Sequence, residues 1–239
     1  MKFLQLAGAA LALVLGTQAQ AVGGLADVRV FDRSDGRQLP VYWHRGQAYV
    51  VGKPGNEYRI IVRSRQGADL LAVLSVDGVN VITGQTAHPL QSGYVIGPRA
   101  RVAVDGWRKS LERTAAFYFT ELNDSYAART ARPDNVGVIG VALYRRKAAP
   151  PQPFGGFAPA PRAESRSSRE SADAAAPLGT GHGRSETSYA RHVEFERASA
   201  HPAETITIRY DSHHNLVAMG VIPHAARQPV AFPGFVPDA

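Results

Sequence analysis

Between residues 70 and 84 two apolar runs, LLAVLSV and VNVITG, meet across Asp77-Gly78. Asp-Gly favours a two-residue type I′ turn, which needs positive φ at both central residues and whose twist matches the strands it joins. The stretch therefore reads as an antiparallel hairpin. Leu70, Ala72, Leu74 and Val76 alternate with Leu71, Val73 and Ser75, so both faces are largely apolar. A strand of that kind is covered on both sides, which makes this hairpin the candidate centre of a sheet.

Short strand-like runs recur on either side. DVRVFD begins at Asp27, and the polar break Ser34-Asp35-Gly36 leads into QLPVYWHRGQAYVVG, a second hairpin candidate around His44-Arg45-Gly46. Pro40 removes a ladder donor and places its strand at a sheet edge or at a strand start. In EYRIIVRSR, Tyr58, Ile60 and Val62 alternate with Arg59, Ile61 and Arg63, one set for a core and the other for water. GYVIG, ARVAVDGW, AAFYFTEL and NVGVIGVALYRR follow, up to Arg146. Evenly spaced short strands separated by Gly, Pro, Asp and Asn predict an all-β fold, an antiparallel two-sheet β-sandwich of about eight strands over residues 22–147. No sustained 3.6-residue apolar stripe is present, so residues 107–113 and 124–129 read as loops with a turn or two of helix at most.

The chain begins with Lys2, an apolar run over residues 6–15, and Ala19 and Ala21 around Gln20. That is the layout of a secretory signal peptide, residues 1–21, with Val22 as first mature residue and export to the periplasm or beyond as the expected localisation. The apolar run is shorter than the roughly 20 residues a spanning helix needs. The chain has no Cys, which excludes a disulfide framework and thiolate metal ligands. Its net charge of +7 is uneven: residues 22–147 hold 18 Lys and Arg against 11 Asp and Glu, residues 148–239 hold 8 against 9. The basic excess belongs to the first part, and an anionic envelope polymer or a partner protein is the class of partner it suits. Arg outnumbers Lys and Ala is abundant, and solubility accounts for the same balance.

From residue 148 to 188 the composition turns to Pro, Gly, Ser and Ala with almost no branched apolar residues. Such a segment cannot bury enough surface to offset the entropy of ordering and is predicted to be a disordered linker, Phe154 and Phe157 being its surface-seeking exception. Alternation returns in HVEFER and TITIRY, and DSHHN then reads as the turn into LVAMGVI. Residues 189–222 are thus expected to form a C-terminal β-hairpin packing back on the sandwich, and residues 223–239, with Pro229, Pro233 and Pro237, an extended tail.

At GYVIG, GWRKS, FYFTEL, NDSYAARTARPDN and RYDSHHNLVAMGVIP the chain resembles a family of exported proteobacterial proteins with no known activity. The resemblance implies export, and a first domain joined to a C-terminal strand region across a variable linker. It carries no ligand or catalytic residue.

Three groups of residues invite a functional reading. Trp107 with Arg108 and Lys109 is a cationic-aromatic spot, and Tyr42, Trp43, His44, Tyr49 and Tyr58 are an aromatic group able to stack on rings. Alternation sends Tyr42 and Trp43 to opposite faces, so one of them belongs to packing. The loop over residues 123–135 concentrates Asp124, Tyr126, Arg129 and Arg132. Its arginines suit carboxylate or phosphate, and equally suit Asp124 and Asp134 within the loop. Asp211, His213 and His214 form the one grouping with metal-ligand chemistry, with His192 and His201 upstream, although neighbouring strand histidines face apart. No cofactor motif is present.

No G-x-S-x-G elbow, H-E-x-x-H pair or phosphate-cradling loop occurs. The expected function is accordingly a non-enzymatic binding or interaction module at the cell envelope. A hydrolase built from scattered Ser, His and carboxylate residues is the alternative, and a structural subunit pairing through exposed strand edges is a third.

Overall fold

The structure, a computed structural model, describes residues 22–148 and 178–223. It contains fourteen strands: β1 Ala26–Asp32, β2 Arg37–Gln38, β3 Tyr42–His44, β4 Gln47–Val51, β5 Glu57–Ser64, β6 Leu70–Val76 and β7 Val79–Asn80, then β8 Tyr94–Ile96, β9 Arg101–Val104, β10 Gly106–Arg108, β11 Arg113–Glu121, β12 Val138–Arg145, β13 Leu178–Thr187 and β14 Glu204–Asp211. One helix, α1, spans His213–Ala218. Two seven-stranded sheets pack face to face, so the β-sandwich read from the sequence is the fold.

The first sheet runs β2, β1, β5, then β11 and β9 along the far side of β5, with β10 and β13 on β11. The second runs β3, β4, β14, β12, β6, with β7 and β8 sharing the last edge of β6. Every pairing is antiparallel except β4 with β14. Alternation decides what each strand gives to the core: Val28 and Val30 from β1, Tyr58, Ile60 and Val62 from β5, Ile206, Ile208 and Tyr210 from β14. Strand β6 is buried on both faces. Leu70, Ala72, Leu74 and Val76 enter the core between the sheets, while Leu71 and Val73 join Ala142, Tyr144, Val95 and Phe195 in a second cluster on the outer face.

The central turn has the expected hand, φ being 51° at Asp77 and 71° at Gly78. Its second strand is shorter than the apolar run promised. Asn80 Oδ1 accepts from the N–H groups of Ile82 (2.8 Å) and Thr83 (3.0 Å), which turns the chain away after two residues. The short strands flanking Pro40, β2 and β3, both lie at sheet edges.

Two sequence expectations are corrected. The linker expected over 148–188 contains β13, ten residues paired along β11 from Leu178 opposite Glu121 to Thr187 opposite Arg113. Its glycines, which look like disorder, admit close packing: a Cβ on Gly181 would lie 2.1 Å from the Tyr118 ring, and one on Gly179 2.5 Å from Ser125. The C-terminal hairpin is replaced by a strand and a helix. Strand β14 sits inside the second sheet between β4 and β12, and the segment read as its partner is α1. Ser212 caps that helix, its Oγ accepting from Asn215 N–H at 3.2 Å, and Leu216, Val221 and Ile222 pack on Tyr49. HVEFER forms no strand, only an isolated bridge between Arg146 and Arg197. The signal peptide over 1–21, residues 149–177 with Phe154 and Phe157, and the tail from 224 lie outside the described residues.

Candidate functional site

Strand alternation separates the first candidate group. Trp107 on β10 faces the core, 3% exposed, edge-on to Phe117 with centroids 4.8 Å apart. It also meets Tyr126 at 4.9 Å and stacks with His182 at 6.1 Å. Arg108 points the other way. Its guanidinium lies over the Tyr94 ring, Nε donates to Tyr94 Oη (3.3 Å), and Nη1 and Nη2 donate to the carbonyl (2.8 Å) and hydroxyl (3.0 Å) of Ser188. Lys109 is exposed. Burial together with the Lys109 and Arg129 charges lowers the His182 pKa and keeps that ring neutral near pH 7.

The loop over 123–135 is largely bonded to itself. Ser125 is buried with its Oγ accepting from Ala128 N–H (3.1 Å), and Tyr126 N–H donates to Thr180 O (2.9 Å). Arg132 donates to Thr130 Oγ1 (2.9 Å) and Gly84 O (3.1 Å). Among the described residues no ion pair joins Arg129 or Arg132 to Asp124 or Asp134; Asp124 and Arg129 are exposed. Trp107 and Tyr126 thus come together with His182, while Arg108 and Arg132 serve other surroundings.

The metal candidates are accounted for by the helix. Asp211 accepts from Ser212 N–H (2.7 Å) and Asn215 Nδ2 (2.9 Å), and His213 and His214 lie exposed in the first turn of α1. Among the described residues no three His, Cys, Asp or Glu are placed to hold a metal ion. Of the aromatic group, Tyr58 is core, stacked on Phe119 at 4.2 Å, and Tyr42 packs with Tyr49 beneath α1. Trp43, on the opposite face from Tyr42, is exposed beside a recess of about 460 Å³.

A buried polar chain at Asp77 was not legible from turn chemistry alone. The Asp77 carboxylate is fully buried and accepts from Tyr210 Oη (2.5 Å), Gly137 N–H (2.9 Å) and Thr180 N–H (2.7 Å). Thr180 Oγ1 lies 2.6 Å from both the Tyr210 and Tyr58 hydroxyls. One carboxylate thereby ties the β6–β7 turn, β13, β14 and β5 together. Burial raises its pKa to about 6, against the lowering effect of those hydrogen bonds. The same burial, with the Asp77 charge, holds Tyr58 and Tyr210 well above their usual range, so both hydroxyls stay protonated.

A broad concavity lies elsewhere. A groove of about 700 Å³ runs between β8, β9 and the extended segment 188–197. Leu90, Leu111, Tyr189 and Val193 line it at 49%, 44%, 82% and 48% exposure. These are four of the six exposed large hydrophobic residues in the described chain, the others being Trp43 and Met219. Scattered apolar residues are ordinary on a surface, but a contiguous set in one groove is not.

Arginines hold the groove wall in place. Arg108 is bonded to Ser188 as above, Arg197 lies 4.8 Å over the Tyr144 ring and donates to Gln91 O (2.7 Å), and Arg146 lies 4.6 Å over Phe195 while pairing with Asp69 at 3.1 Å. The wall is thus anchored at Ser188, Phe195 and Arg197 and by Ala190 N–H donating to Leu111 O (2.7 Å), with Tyr189 and residues 191–193 between the anchors. The sequence pattern places Ser188 in the linker and residues 189–197 in the C-terminal strand region, whereas the segment is extended without a strand of its own. Its available signal was Tyr189 and Val193 amid polar neighbours, which is weak without the partner surface. No helix among the described residues is long and apolar enough to cross a membrane. No family model, curated protein or solved structure matches the chain.

Proposed function

We propose that the chain is a binding module of the cell envelope and that the groove between β8, β9 and residues 188–197 is its contact surface. The observation that carries this is the gathering of Leu90, Leu111, Tyr189 and Val193 in that one groove, exposed to water on a scaffold whose core is otherwise closed. Of the two partner classes suggested by composition, a partner protein is the better supported. An anionic polymer needs several free guanidinium groups, and of the three arginines lining the groove Arg108 and Arg197 already spend theirs holding the wall, as Arg146 does beside it, which leaves Arg191 alone. Export rests on residues 1–21; Val22, the first residue after that segment, is buried and exchanges backbone bonds with Val28 at 3.0 and 2.9 Å. N-terminal sequencing of the cell-derived protein should therefore begin at Val22.

The groove is tested with 8-anilinonaphthalene-1-sulfonate, whose fluorescence rises in apolar surroundings. The native chain is expected to bind it saturably. A Leu111→Glu, Tyr189→Asp double variant, altering only exposed side chains, is expected to lose the signal at unchanged melting temperature. Equal fluorescence from native and variant protein contradicts the assignment.

A further inference from the structure

Two strand edges face this groove with their backbones unpaired. Val81 N–H donates to Leu74 O at 3.1 Å, so Leu74 and the residues two and four before it turn their backbone groups toward the β7 and β8 side. Tyr94 opposite Ala72 and Ile96 opposite Leu70 are therefore the bonded pairs, and the N–H and C=O of Val95 point away from the sheet. The same phase holds on β9. Ser64 N–H donates to Ala100 O at 2.9 Å, which sets Val62 opposite Val102 and Ile60 opposite Val104 as bonded pairs and turns the backbone of Ala103 outward. Val95 and Ala103 both line the groove, and among the described residues neither has a hydrogen bond to its outward groups. An unpaired edge in contact with exposed apolar side chains is the arrangement that accepts an added strand.

Charge narrows the occupant. The ionisable groups lining the groove are Asp69, Arg108, Arg191, His192 and Arg197, and Asp69 is neutralised by Arg146. Arg191 and His192 are exposed at the rim, and among the described residues Arg191 is in no ion pair. The rim therefore presents a positive field to whatever enters.

Resting on the groove reading above, we infer that its occupant is an extended segment of a partner polypeptide, apolar at alternate positions and carrying a carboxylate, added as a strand along the open edges at Val95 and Ala103. Alternate side chains meet Leu90, Leu111, Tyr189 and Val193, the main chain meets the unpaired backbone groups, and the carboxylate faces Arg191 and His192.

The probe is a phage-displayed library of random twelve-residue peptides panned on the protein from Val22 onward. Recovered peptides are expected to alternate apolar residues and to contain Asp or Glu, and their synthetic forms to bind about tenfold more weakly to Tyr189→Asp, as removal of one well-placed contact gives. N-methylation at every second residue, which deletes N–H groups without deleting side chains, is expected to weaken binding about tenfold in one phase and to leave it within about twofold in the other. Arg191→Glu should weaken acidic peptides only. Peptides indifferent to N-methylation in both phases, or equally tight on Tyr189→Asp, overturn strand addition. Failure to recover any peptide overturns it too. Anilinonaphthalene binding that Tyr189→Asp abolishes then leaves the groove reading standing, and its absence removes both.

Discussion

At Asp77 turn chemistry and burial pull in opposite directions. The residue suits the positive φ of the turn, yet its carboxylate sits where water does not reach. Its folded pKa of about 6 lies above the unfolded value of 3.8, so the folded state holds this proton more tightly. The stability that protonation confers is fully present below pH 3.8 and is lost as pH rises through 6. A shift of that size is worth about 3 kcal/mol at about 1.36 kcal/mol per pKa unit. Urea denaturation at pH 7.5 and pH 5 should show the native protein gaining stability relative to Asp77→Asn at the lower value, the lowered His182 pKa acting in the opposite sense but equally in both proteins. The hydroxyl chain accommodates both states. With Asp77 ionised, Tyr210 donates to it; with Asp77 protonated, the Asp77–Tyr210–Thr180–Tyr58 bonds reverse direction. Tyr210→Phe breaks the chain beside the carboxylate and should cost about 1–3 kcal/mol, the usual penalty for stranding buried polar groups. A denaturation midpoint equal to that of the native protein would show the chain to be dispensable.

Strand β13 is the element in which composition and structure diverge most. Its sequence, LGTGHGRSET, has one branched apolar residue and three glycines, the signature of a chain unable to bury surface on its own. What holds it is its neighbour: β11 supplies a paired edge, Tyr118 covers Gly181, and Asp77 accepts from Thr180 N–H. Gly181→Ala should therefore destabilise the fold by about 1–3 kcal/mol through overpacking. Adding Tyr118→Ala should recover most of that, because the three atoms nearest that Cβ all belong to the Tyr118 side chain. Urea midpoints of the two single variants and the double measure the coupling, and strictly additive losses would argue against it. Strands β1, β5, β6, β11 and β12 were legible because alternation and apolar runs are properties of the strand itself. Strand β13 was not, because its stability comes from β11. Helix α1 was misread for a related reason: LVAMG suits strand or helix, and what decides is the Ser212 cap and the packing of Leu216 on Tyr49, the second of which requires β4 to be in place. Ser212→Ala should cost about 1 kcal/mol in thermal denaturation.

At the scale of the molecule, four of the six exposed large hydrophobic residues of the described chain gather in one groove at the side of the sandwich. The candidate site was partly legible. Arg108 was singled out for chemistry, and it does line the groove, as an anchor for the wall. Leu90, Leu111, Tyr189 and Val193 carry no functional signal in the sequence, the first three as single apolar residues among polar neighbours and Val193 as part of the expected strand HVEFER, and they acquire meaning only when the fold brings them together. Part of the basic excess of residues 22–147 is likewise spent within the fold, as in Arg33 with Glu186 (2.7 Å) and Arg59 with Asp105 (2.7 Å). The most direct measurement is amide chemical-shift mapping while anilinonaphthalene sulfonate is titrated into the protein. The groove assignment gives shifts confined to residues near Leu90, Val95, Ala103, Leu111 and 188–193. Shifts centred on residues 123–135 or on the recess beside Trp43, or none at saturating probe, would contradict it.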